Sequence, residues 1–182
     1  NHNELTNQNF SPIQKFLNNF CQNKNFNIPP ISKISYTETE PWSRNHPRYN
    51  LALTRYRKSD TPRHLYALKF SEIKDTYKEY KFIYTDGSRD NDLTGAAIVT
   101  DEDSHIIRLP SLASNYTAEA YAILKAIELT LANPEPQKYI ICSDSISTIT
   151  ATQQLYSNSP IIQKIQNHIH QSKARGNRIV LA

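Results

Sequence analysis

Apolar residues along this chain follow a helical period at first, then none, and then a dense mixture of strand and helix patterns. Ile13, Phe16, Leu17, Phe20 and Cys21 recur at helical spacing behind Ser11-Pro12, which predicts a short helix with Ser as its N-cap and Pro at its first position. The periodicity then stops. From Asn25 to about Asp60 the chain is polar and rich in proline, and "NIPPISKISYTETEPWSRNHPRY" reads as a linker laid over a surface. Thr61-Pro62 restarts a helix carrying Leu65, Leu68, Ile73 and Tyr77. Residues 1–80 therefore read as a connecting segment of two short helices and a Pro-rich linker.

From Lys81 the pattern tightens. "KFIYT" predicts a strand, and "GAAIVT" and "HIIRLP" predict two more, joined through the polar "DEDS" as a hairpin. "TAEAYAILKAIELTLA" predicts a strong helix with Thr117 as its N-cap. "KYIIC" lacks polar alternation, so it predicts a short strand buried on both faces. Helices follow at about Ser145–Tyr156 and Pro160–Lys173, and "NRIVLA" begins a last strand. Strands in sequence followed by alternation of strand and helix predict an α/β fold, a mixed sheet with helices against its faces, over residues 81–182.

Composition narrows the class. No apolar run approaches the ~20 residues that span a bilayer, and no signal-peptide pattern opens the sequence. Two distant cysteines, Cys21 and Cys142, suggest no disulfide framework and fit an intracellular setting, cytoplasm or nucleus. The chain contains no methionine and closes on the apolar run "RIVLA", which predicts a piece of something longer. Its net charge of +4 is unevenly spread. Residues 1–80 carry 12 Lys/Arg against 7 Asp/Glu, residues 81–144 carry 5 against 10, and residues 145–182 carry 4 against none. An acidic block between basic ones suits metal ions beside a bound polyanion, although solvated surface charge would look the same.

Three acids stand out within the acidic block. Asp86, in "FIYTDGS", follows a β-branched run and precedes Gly87. Asp-Gly is a strong hairpin signal. However, the next seven residues are largely polar, so a loop longer than a tight hairpin is the better expectation. Asp144 follows "KYIIC" and precedes a helix, where an N-cap role would suffice to explain it. Glu119 shares a helical stripe with Ala122, Ile123 and Ala126, opposite Glu128 and away from Lys125. A helix dipole accounts for an acid near an N-terminus, but not for one that faces inward. Ligand sites in open α/β sheets gather at the C-terminal ends of strands, where both aspartates are expected. Three carboxylates gathered there repel one another unless a divalent cation such as Mg²⁺ or Mn²⁺ intervenes.

"YTDGS", "TAEAYAILKAIE" and "ICSDS" together resemble the first three acidic motifs of the ribonuclease H family, with the order Asp, Glu, Asp at separations of 33 and 25 residues. The flanking text is most similar to the ribonuclease H domain of arthropod-type non-LTR retrotransposon polyproteins. There, "EPWSRNHP" and "KSDTP" would belong to the connection from an upstream reverse transcriptase. The resemblance implies a central five-stranded mixed sheet whose first three strands are antiparallel. It implies cleavage of the RNA strand of an RNA–DNA hybrid with two Mg²⁺ ions, leaving a 3′-hydroxyl and a 5′-phosphate. It also implies that Asp86, Glu119 and Asp144 are catalytic metal ligands, and that Gly87 and Ser88 approach the substrate backbone.

Family members carry a fourth acid, and usually a histidine, after the fifth strand, where this sequence stops at Ala182. His168 and His170 precede that strand on an expected helix surface and do not replace it. The expectation is therefore little or no activity in Mg²⁺ for residues 1–182 alone, with some rescued by Mn²⁺. A polymerase reading fails because Gly87 stands where Tyr-x-Asp-Asp needs its second acid, and an integrase order would place Glu last. A catalytically silent module that binds nucleic acid or braces a polyprotein remains the alternative.

Overall fold

The computed structural model describes residues 40–56, 59–91 and 93–182. The chain divides into two compact units, Asn1–Tyr36 and Thr37–Ala182, and every described residue belongs to the second. The predicted stripe from Ile13 to Cys21 lies outside the described residues.

Six strands form one sheet in the order β1-β6-β5-β2-β3-β4. They are β1 (Arg48–Tyr49), β2 (Lys81–Asp90), β3 (Leu93–Val99), β4 (Ser104–Leu109), β5 (Lys138–Ser143) and β6 (Arg178–Leu181). β2, β3 and β4 are antiparallel, whereas β5 runs parallel to β2, β6 to β5, and β1 to β6. Four α-helices complete the described residues: α1 (Arg63–Thr76), α2 (Asn115–Ala132), α3 (Ile146–Gln153) and α4 (Pro160–Ala174). This is the expected mixed α/β architecture, with the short β1 added as a sixth strand at the edge beside β6. None of these helices is long and apolar enough to cross a membrane.

The buried strand β5 shows why both faces are covered. Tyr139 and Ile141 join the larger core with Ile123, Ile127, Ile162, Ile165 and Ile169, while Ile140 turns to the other face and packs with Ile73 of α1 and Val180 of β6. Four of the buried positions of α2 are alanines, Ala118, Ala120, Ala122 and Ala126, which helps the helix lie close on the sheet. A polar lock closes the far end. Asn177, 4% exposed, donates to the Thr130 carbonyl and the Ser172 hydroxyl and accepts from the Gln137 amide.

Several local expectations are corrected. The polar run after Gly87 is not a loop, because β2 continues to Asp90, which pairs with Leu93. The turn is a tight one that includes Asn91, whose φ of 50° is the left-handed conformation Asn tolerates. Ser88, Arg89 and Asp90 can be polar because their part of the strand is exposed. α2 is capped by Ser114, whose hydroxyl accepts from the Thr117 amide at 3.1 Å, so Thr117 lies inside the helix. Part of the proline-rich stretch is also more than a surface linker. Arg48 and Tyr49 pair with Val180 and Leu181, Tyr49 shares a hydrogen bond with Thr152, and Arg44 donates to Gln166.

Candidate metal centre

Strand register brings the two aspartates together. The last pair of the β2–β5 ladder is Thr85 with Ser143, and Asp86 and Asp144 are the residues that follow them in the chain. β5 ends there, while β2 continues paired to β3, with Asp86 opposite Ala97. Asp86 therefore lies inside its strand rather than beyond its end, and the strand end beside it belongs to β5. The chain leaves the sheet at Asp144 through a turn in which the Ser145 amide donates to the Ser143 hydroxyl and the Ile146 amide to the Asp144 carbonyl. Ser145, not Asp144, is the N-cap of α3, and its buried hydroxyl bonds Thr148 instead of a backbone amide.

Glu119 arrives from the opposite partner, helix α2. It is only 8% exposed, whereas Asp86 and Asp144 are exposed, so the inward orientation read from helical spacing is what the fold shows. One carboxylate oxygen from each of the three residues lies within 4.8 Å of the others. Among the described residues no other group of three potential metal ligands converges in this way. The approach is set by Gly87. A β-carbon built there would meet the Glu119 amide nitrogen at 2.2 Å and the Ala118 carbonyl carbon at 2.5 Å. The helix backbone therefore rests on the strand at the residue after Asp86. Gly87 itself is buried and Ser88 is exposed.

Three carboxylates and no imidazole or thiol make an oxygen donor set, which suits hard cations such as Mg²⁺ or Mn²⁺. A groove of about 910 Å³ opens beside them, with Asp86 and Asp144 at its wall and Tyr56, Tyr66, Phe70 and Tyr84 among its lining. Cys142 also lines it, but burial pushes its thiol up to about 11, with Lys74 opposing, so it is no nucleophile at neutral pH. His168 and His170 take no part in the acidic group. Burial holds the His168 imidazole below its ordinary value against the pull of Glu128, 3.8 Å away, and His170 accepts a hydrogen bond from the Asn45 amide.

Sequence reasoning singled out all three acids but not the packing role of Gly87. The available signal was a glycine inside a strand, which marks close approach by another backbone. No curated protein matches the chain. The sequence model of the family described as RNase H matches residues 78–179, more than half of the chain and all three acids. The chain belongs to the RNase H family.

Proposed function

We propose that Asp86, Glu119 and Asp144 hold two divalent cations, Mg²⁺ or Mn²⁺, and that the chain uses them to hydrolyse the RNA strand of RNA–DNA hybrids. Family membership supports RNA-strand hydrolysis in general. The observation that carries the metal reading is the meeting of three sequence-distant carboxylates within 4.8 Å. Two cations held there would supply an activated water and stabilisation of the leaving oxygen at phosphorus, which would give 3′-hydroxyl and 5′-phosphate ends. The protein's part is placement. Asp86 is fixed by the β2 ladder, Asp144 by the Ser143–Ser145 turn, and Glu119 by the seating of α2 on Gly87. Ser88, two residues along β2 from Asp86, is exposed, which supports its approach to the substrate backbone.

We further propose that the parent protein is a non-LTR retrotransposon polyprotein in which an upstream reverse transcriptase supplies the hybrid inside the cell. The likeness of "EPWSRNHP" and "KSDTP" to such connections supports this. The 2′-hydroxyls that distinguish RNA predict preference for the hybrid over duplex DNA by about 10²-fold or more. Binding is expected to weaken with salt, because the basic segments meet phosphates. Cleavage assays in Mn²⁺ on a hybrid and a DNA duplex of one sequence, at two salt concentrations, check both. Equal cleavage of the two duplexes removes the reading.

A further inference from the structure

The contact between Gly87 and α2 goes beyond packing. A β-carbon at position 87 would come to 2.2 Å from the Glu119 amide nitrogen, 2.5 Å from the Ala118 carbonyl carbon and 2.6 Å from the Glu119 Cα. All three are backbone atoms, so no side-chain rotation can relieve the overlap. Gly95, on the neighbouring strand, has room by comparison: its nearest such neighbour is the Ile107 carbonyl oxygen at 3.5 Å. Gly87 is also covalently next to Asp86, while the atoms it touches belong to Glu119. One close contact therefore links the strand position next to Asp86 with the backbone of Glu119.

We infer that Gly87 is a positioning residue for the metal centre: the absence of a side chain there lets α2 seat Glu119 at coordination distance from cations held by Asp86 and Asp144. Any larger residue forces strand and helix apart by more than about 1 Å before ordinary van der Waals separation is regained. Metal–oxygen distances tolerate only about 0.2 Å. A displacement of that size removes Glu119 from the shared site while leaving the two aspartates in their strand register. The role is separate from any contact of the Gly87 main chain with substrate. It rests on the proposed metal reading.

The test is Mn²⁺ affinity, followed by electron paramagnetic resonance on the full chain, together with thermal stability. Gly87→Ala is expected to bind Mn²⁺ about 10–100-fold more weakly, the range typical for residues that orient metal ligands. Gly95→Ala is expected to match wild type. Asn177→Ala, which breaks the distant polar lock, is the stability control and is expected to lower the melting temperature while keeping Mn²⁺ affinity. Glu119→Asp withdraws the carboxylate by about 1.5 Å, one carbon–carbon bond, without touching the Gly87 contact, and is expected to reproduce the affinity loss. A folded Gly87→Ala that binds Mn²⁺ like wild type overturns the inference, as does an equal affinity loss in Asn177→Ala. If Gly87→Ala does not fold, Glu119→Asp still exposes the inference to refutation: wild-type affinity shows that the site tolerates the displacement and overturns it, whereas weakened affinity supports the exact placement of Glu119 that the inference requires. Wild-type protein that binds no Mn²⁺ defeats the metal reading itself, which is a different result from any of these.

Discussion

Asp86→Asn is expected to lower cleavage of a hybrid's RNA strand by about 10³-fold or more, the scale seen when one member of a concerted catalytic group is removed. The same change is expected to leave the fold intact. Asn has nearly the shape of Asp and keeps its place opposite Ala97 in the β2–β3 ladder. It also removes one of three carboxylates whose oxygens lie within 4.8 Å of one another. A pair of like charges about 4 Å apart costs about 1 kcal/mol in water and about 4 kcal/mol near a protein surface. Metal-free Asp86→Asn should therefore melt at the same temperature as wild type or higher. Single-turnover cleavage in Mn²⁺ and thermal denaturation after chelation measure the two effects side by side. Activity within tenfold of wild type would return Asp86 to a purely structural strand position. A large drop in melting temperature would show that its carboxylate supports the fold.

Metal binding itself should be visible as stability. A cation that binds only the folded state at 100 times its dissociation constant adds about 2.7 kcal/mol. For a chain of this size each kcal/mol moves the melting temperature by about 2–4 °C, so a rise of about 5–10 °C is expected on adding saturating Mn²⁺ to chelator-stripped protein. The rise has two sources here: new bonds to oxygen, and relief of repulsion among the three carboxylates. Glu119→Gln removes the buried carboxylate and is expected to abolish most of the rise. A full rise retained in Glu119→Gln would place the stabilising ion somewhere other than among these acids.

The candidate acids were legible because each lies in a segment whose period is unambiguous. A β-branched run ends near Asp86, an unalternating apolar run ends at Cys142, and the 3.6-residue spacing of Ala122, Ile123 and Ala126 carries Glu119 inward. The order of strands and helices followed from the same periods. Features that depend on tertiary partners were not legible. β2 runs on through Ser88, Arg89 and Asp90 because β3 pairs with them, and their polar side chains gave no strand signal. β1 is two residues long, Arg48 and Tyr49, too short for any periodicity, and exists only because β6 offers an edge. Ser114 caps α2 where Thr117 was expected, three residues further on, and both hydroxyls meet at 2.9 Å in the folded chain. Gly87 was read for turn chemistry and substrate approach, whereas its lack of a β-carbon answers to the backbone of a helix that starts 28 residues later in the chain, at Asn115.

The most direct test is the identity of the ends left on a labelled RNA–DNA hybrid by chelator-stripped protein, before and after Mn²⁺ is restored. The account predicts no cleavage without the ion. With it, the RNA strand alone is cut, leaving 3′-hydroxyl and 5′-phosphate ends, because attack comes from water rather than from the neighbouring 2′-hydroxyl. Cleavage that survives chelation, ends bearing a 2′,3′-cyclic phosphate, or an RNA strand left whole in Mn²⁺ would contradict it.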